Sequence, residues 1–507
     1  MTIIEIPTPT PRPRTTTRWL KPSLSDVVFG ALLLWLLLFT IHSDGSLGLL
    51  QDSNTGYHIR TGDFIVQHKT LPQGDIFSFT KPGQPWFAWE WLCAVLFSLA
   101  YSFAGMKALV IFTGTVLALA NVILLRHMIW RGANALVAIV MLNLVVGASS
   151  IHYLARPHVF TFLFLATALW MLDSDRRNPS HRIWLLAPLT AVWVNTHGGF
   201  LALLICLGIV SVGSALEGSW AMARRYALVA AACLAASGVN PYGFAVHAHA
   251  LRFLSEKWIV DLVQEYQPVR FGSPEALYFE AVLFAGVAVS LWLLSRREVS
   301  SALLILAWGH AALTSSRHIP IYAFVAAPVI AREGTLHWDR WVRYAKRGSV
   351  PAVFAALASA HTEGLARNSV WAPALVICLA LLPLGWNWPV DFPGARYPAS
   401  AIRNHADLIS GSRIFTTDAW ADYLTFHFYP RQKIFVDGRC DFFGREMSEQ
   451  YVQILKGHYG WDVLMKRYDF DAALIPSQSA LASLLRLRPN WRVIEEDAQA
   501  VLFQRIK

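Results

Sequence analysis

Twelve apolar runs separated by short polar joints leave this chain one kind of architecture, a bundle of helices in a membrane. The first lies at roughly Val27 to Ile41 and the last at Trp371 to Leu384. Backbone N–H and C=O groups cannot be left unpaired in hydrocarbon, so runs of this kind predict helices rather than open sheet. Only 15% of residues are charged, against ~25% in ordinary soluble domains. The expected class is therefore mainly α, a polytopic membrane protein. A net charge of +10 would suggest nucleic acid in a soluble protein, but here the basic residues sit at the ends of apolar runs and no nucleic-acid module is present. Cys93, Cys206, Cys233, Cys378 and Cys440 show no CxxC spacing, which argues against a zinc site or a disulfide scaffold.

Charge asymmetry selects the number of crossings. The amino-terminal segment 1–24 carries Arg12, Arg14, Arg18 and Lys21, lacks a convincing cleavage site and reads as the cytoplasmic start of a retained anchor. If Ala88 to Gly105 lies along the surface, held by Trp86, Trp89 and Trp91, cytoplasmic pieces carry 19 basic residues against 8 outside. If it crosses, the tally inverts to 9 against 18. The expectation is thus about eleven spans within 25–387, a first outer loop over 43–105, and a tail, 388–507, on the outer side. The Pro-rich passage WNWPVDFPGARYP marks the tail's start. Strands are predicted at Arg413 to Thr416, Lys433 to Asp437, Ala472 to Ile475 and Trp491 to Ile506, with helices at Ala419 to Phe428, Arg445 to Arg467 and Ala480 to Leu487: a small α/β domain.

This topology collects the polar clusters at one surface. The long stretch Leu50 to Glu90 is the prime candidate for an active-site loop, since a mere link needs only a few residues. It offers Asp52, His58 and Glu90; Asp44, Asp63 and Asp75 read as solvated loop acids. Arg156 and His158 in HYLARPH, and Arg317 and His318 in SSRHIP, sit at outer helix ends. There a guanidinium either grips phosphate or snorkels to lipid head groups. In NTHGG, Asn195 and His197 either contact a ligand or cap helix ends. NPYG (240–243) reads as a structural turn; Gln264, Glu265 and Tyr266 could add a carboxylate to the cavity but read better as a surface-helix end, and Asp437-Gly438-Arg439 is either a sugar contact or, the preferred reading, a turn closed by a salt bridge.

These residues carry a resemblance. Asp52, Asn54, Tyr57, His58 and Gly62, then Pro72, Asp75, Phe77-Ser78-Phe79-Thr80 and Glu90-Trp91-Leu92, are similar to the first-loop pattern of bacterial membrane proteins allied to the C-type glycosyltransferases. Arg156-Pro157-His158, 195–199, 240–243, Arg317 to Pro320 and 437–439 resemble further patches of that group. The superfamily includes oligosaccharyltransferases, protein O-mannosyltransferases and lipid A aminoarabinose transferases. The resemblance implies a multi-span domain with an acidic first outer loop, and Asp52 as the catalytic aspartate. Asn54 replaces the second acid of the pattern, which weakens a divalent-metal mechanism, so no cofactor is expected.

The function so implied is transfer of a sugar from a polyprenyl-phosphate donor to an acceptor hydroxyl at the outer face of a bacterial inner membrane. Asp52 would act as base in an inverting single displacement. Arg156 and Arg317 would hold the phosphate, and His58, Glu90, His158, Asn195, His197 and His318 would line the substrate site. The expected partners are that donor, membrane lipids and a glycan, lipid or protein acceptor. A flippase for a lipid-linked glycan and a non-catalytic assembly scaffold are the competing classes.

Overall fold

A computed structural model describes residues 18–42, 48–346 and 348–506. Asp44, Arg12 and Arg14 fall outside the described residues. The chain is mainly helical and ends in a four-stranded sheet.

Among the described residues six helices are individually long and apolar enough to cross a membrane, including Leu24–His42, Ala276–Ser295 and Gly198–Leu216. Contacts at the helix ends show how the bundle is threaded. At the end where Leu24–His42 begins, His127 and Arg131 pair with Asp173, Arg225 pairs with Asp175 at 2.7 Å, and Glu217 accepts the Ser300 N–H at 2.7 Å. At the other end the Ala155 N–H donates to Leu49 O at 2.7 Å, Asn195 reaches Val239 O at 2.8 Å, and Lys107 reaches Ala380 O at 3.1 Å. These contacts put successive bundle helices in alternating directions, and a helix stands at each position where a span is expected, six of them, among the described residues, long and apolar enough to cross by themselves.

One apolar helix, Val350–Ala366, was not foreseen. The preceding helix stops at the amino-terminal end, where Thr335 accepts the Asn134 N–H. Val350–Ala366 also finishes there, with Thr362 accepting from Ala135 and Leu365 O from Ser25. It adds no net crossing, so the tail meets the first loop at the opposite end.

The run Ala88 to Gly105 is an arm separate from the span that follows it. Helical geometry fails at Ala104 (φ −154°) and Gly105 (φ 61°) inside Trp91–Arg131. The arm packs on the first-loop helix Asn54–His68, and Gly62 makes this close approach possible: a Cβ there would lie 2.1 Å from Ala94 O. Asp63 is no free solvated acid. It accepts from Ser98 Oγ at 2.6 Å and pairs with Arg60 at 2.8 Å.

The tail sheet has four strands: β1 (Ile414–Thr416), β2 (Ala472–Pro476), β3 (Trp491–Glu496) and β4 (Ala500–Arg505). Their order is β1-β2-β4-β3, with β1 parallel to β2 and the other pairs antiparallel. The run Trp491 to Ile506 is thus a hairpin, and Arg445 to Arg467 is divided between Cys440–Leu455 and Trp461–Arg467. Lys433 to Asp437 does not join the sheet. Its backbone pairs with the first loop instead, with the Phe79 N–H donating to Ile434 O and the Ile434 N–H to Phe77 O, both at 3.0 Å.

Beside this pairing, Arg439 is buried between Asp75 of the first loop, at 2.8 Å, and Asp437 of its own turn. Asp75 also accepts from the Phe77 and Ser78 N–H groups, so it is a buried anchor rather than a solvated acid. The Asp437-Gly438-Arg439 turn is closed by the expected salt bridge. Asp75→Ala leaves a buried guanidinium with half its counter-charge. We expect a loss of about 3 kcal/mol, read as a lower melting temperature in detergent and faster proteolytic release of the tail.

Candidate active site in a shared cavity

A cavity of about 1350 Å³ lies where the first loop, the ends of the bundle helices and the tail meet. Asp52, His58, Glu90, Arg156, His158, His197, Arg317 and His318 all line it. Asn195 does not. Its oxygen accepts from Trp91 Nε1 at 2.7 Å and its amide donates to Ala191 O and Val239 O, so its polar atoms are engaged in joining the arm to two helices.

Local backbone ties place the central pair. Ala155 donates to Leu49 O at 2.7 Å and accepts from Thr55 Oγ1 at 2.6 Å, which pins the next residue, Arg156, to the first loop. Arg156 Nη1 lies 3.0 Å from Asp52 Oδ2 and 2.5 Å from Glu265 Oε1. The second oxygen of Asp52 accepts the Asn54 N–H at 2.8 Å. Arg317 lies 4.0 Å from Glu265 Oε2 and donates to the Tyr266 hydroxyl, with its guanidinium 4.9 Å from that ring's centre.

Glu265 is thus no surface-helix end. Burial opposes its charge, yet Arg156 and Arg317 hold its carboxyl well below the usual range. Arg156 keeps its proton even more firmly than usual: burial again opposes the charge, and Glu265, Asp52 and Glu90 outweigh it. Two guanidinium groups converging on one carboxylate also form a seat that a phosphate can satisfy.

Glu90 occupies a different setting. It stands 3.6 Å from His58 Nε2 and 3.7 Å from His197 Nε2. Burial raises its carboxyl to about 7, against the pull of Arg156 and Arg317. Burial and Arg156 push His58 down to about 3, and burial with Arg317 pushes His197 well below its ordinary value, so both rings are neutral near pH 7. Nδ1 of His197 accepts the Gly199 N–H at 3.0 Å, which places the ring proton on Nε2, toward Glu90. His158 is likewise kept neutral by burial, and its Nε2 donates to His152 O at 2.5 Å. His318 bonds through Nδ1 to Ala311 O at 3.2 Å.

The tail brings residues that no sequence motif marked. Asp422, Trp420 and Tyr451 share the cavity with the 437–439 turn. Asp422 and Trp420 lie in an ordinary amphipathic helix pattern, and only the fold turns them inward. Among the described residues no group of three His, Cys, Asp or Glu side chains is placed to hold a metal ion. Asp52 has one oxygen on a guanidinium and the other on a backbone N–H.

No known family profile matches the chain, and no curated protein matches it. Solved structures do. The oligosaccharyltransferase of Archaeoglobus fulgidus, crystallised tethered to an acceptor peptide containing the NVT sequon, aligns over 89% of this chain and 68% of its own, at 12% identity and TM-score 0.56. ArnT from Cupriavidus metallidurans bound to undecaprenyl phosphate aligns over 96% and 98%, at 15% identity and TM-score 0.52. Its apo form aligns over 94% and 97%, at 14% identity and TM-score 0.51. The chain has the fold of the C-type glycosyltransferases.

The electrostatics of this cavity make one direct expectation. Infrared titration should show a carboxyl C=O band lost with a midpoint of about 7 as Glu90 ionises, absent in Glu90→Gln. Because Arg156 favours the ionised form, Arg156→Ala should move that midpoint upward.

Proposed function

We propose that the protein is a membrane glycosyltransferase that moves a sugar from a polyprenyl-phosphate donor to an acceptor hydroxyl, at the bundle end that carries the cavity. The observation that carries this reading is the meeting of Asp52 with Arg156, Arg317 and Glu265 in one cavity at the end of an apolar bundle. A prenyl tail can remain in lipid there while its head group reaches polar side chains.

In this reading the donor phosphate takes the seat that Glu265 holds between the two arginines. Arg156 then turns from Asp52 toward phosphate, which frees a carboxylate oxygen of Asp52 for the acceptor. Asp52 takes the hydroxyl proton as that oxygen attacks the anomeric carbon. The bond from that carbon to the phosphate oxygen breaks, and the electron pair leaves with the lipid phosphate, whose charge Arg156 and Arg317 stabilise. Attack opposite to departure inverts the anomeric centre. No step is routed through a metal.

Asp52→Asn is expected to lower transfer by about 10²–10⁴-fold, the usual worth of a positioned base, while undecaprenyl-phosphate binding persists. Arg156→Ala should weaken that binding by about 1.5–3 kcal/mol. Both are measured on purified protein by release of lipid phosphate and by equilibrium binding. The reading also puts segment 1–24 in the cytoplasm and the domain 388–507 in the periplasm. Reporter fusions at residue 507 should be active only outside the cytosol; cytosolic activity would end the proposal.

A further inference from the structure

The reaction above gives partners to the donor phosphate and to one acceptor proton, and leaves the rest of the acceptor without any. The cavity wall contributed by the tail holds two buried side chains with unpaired polar atoms. These are Oδ1 of Asp422, an acceptor, and Nη1 of Arg439, a donor. Native interiors rarely leave such atoms unpaired unless a ligand or water completes them. Between them lies a bare backbone: a Cβ on Gly438 would stand 2.8 Å from Asn54 Nδ2 and 3.1 Å from Asp422 Oδ2. An amide and a carboxyl group thus converge on a place that any side chain would fill.

The charge around Arg439 narrows the ligand class. Asp75 and Asp437 already balance its guanidinium, so the group offers a directed N–H and no spare positive charge. Its plane is held over Trp86, with 4.5 Å to the ring centre, and its position is set before any ligand arrives. Burial, with Asp437, Asp52 and Asp418 nearby, pushes the Asp422 carboxyl well above its ordinary range; those neighbouring acids disfavour an anion, and the neutral carboxyl can give as well as take a hydrogen bond. What suits a lone donor, a lone acceptor and an amide is a set of hydroxyl groups, each able to give and take at one oxygen. Trp86 of the first loop and Trp420 and Tyr451 of the tail also line the cavity, which gives it aromatic as well as polar walls, a lining that suits a sugar. A peptide would instead require partners for successive backbone amides.

We propose that Asp422, Gly438, Arg439 and Asn54 form an acceptor subsite that holds a neutral sugar residue by its hydroxyl groups. This rests on the glycosyl-transfer reading and adds the acceptor's class to it.

The test uses the full chain in detergent. Saturation-transfer NMR would probe neutral trisaccharides of glucose, galactose and mannose in turn, alongside a hexapeptide containing Ser and Thr. Equilibrium binding of undecaprenyl phosphate would be measured in parallel. At least one trisaccharide should bind the native protein and lose about tenfold or more in affinity in both Asp422→Ala and Gly438→Ala, while lipid-phosphate binding changes by less than about twofold. Gly438→Ala adds one methyl group and no charge, and a melting temperature matching the native protein's shows that it has folded. Three outcomes overturn the subsite: no trisaccharide binds although undecaprenyl phosphate does, both variants bind the trisaccharide normally, or the peptide binds in an Asp422-dependent manner. Failure of the native protein to bind undecaprenyl phosphate strikes the donor reading instead, and the saccharide result still judges the subsite.

Discussion

A guanidinium held between two carboxylates in a dry environment joins the halves of this molecule. Arg439 of the tail is buried against Asp75 of the first loop and Asp437 of its own turn, beneath the ring of Trp86. Taking three charges out of water is costly, so the arrangement holds only while all partners are in place. That makes it a register device as much as an adhesive. It works with the backbone pairing of 77–79 to Ile434, fixing the tail against the very loop that carries Asp52 and Glu90. The cavity between them has a defined shape because this junction has one.

Inside the cavity the same economy of charge recurs in a looser form. Asp52, Arg156, Glu265 and Arg317 form a chain of alternating sign in which each group satisfies the next. Such a chain is stable when closed, and its members remain partly exposed. The Arg439 junction is buried, and the Arg156 chain is partly open to water. Glu90 differs from both, being an acid raised to about 7 by burial between two neutral imidazoles. Three polar assemblies in one cavity thus differ chiefly in their access to water.

Much of the architecture could be read from residue order. Apolar runs announced the helices, and basic residues at their ends announced the parity that puts the tail beside the first loop. Val350–Ala366 escaped notice yet left that parity intact, because it ends where it starts. The misreadings share a cause. Asp75 and Glu265 look like loop acids to any local rule, and their partners Arg439, Arg156 and Arg317 lie far away in sequence. Lys433 to Asp437 has strand composition, but its pairing partner is the first loop and not the sheet. Asn195 looked available because polar groups near apolar helices often bind ligands; here Trp91, Ala191 and Val239 engage it fully.

The sequence by itself determined the helical bundle, the grouping of Asp52, Glu90, Arg156, His158, His197, Arg317 and His318 at one end, and the presence of a small α/β tail. Hydropathy and charge asymmetry act through the solvent, and they need no knowledge of which side chains meet. Only the tertiary structure decided that Glu265 sits between two arginines, that Asp75 anchors the tail, and that Asp422 and Gly438 share a wall with Asn54. Those facts depend on contacts between residues distant along the chain, where directed hydrogen bonds and buried charges settle which of many compatible pairings forms.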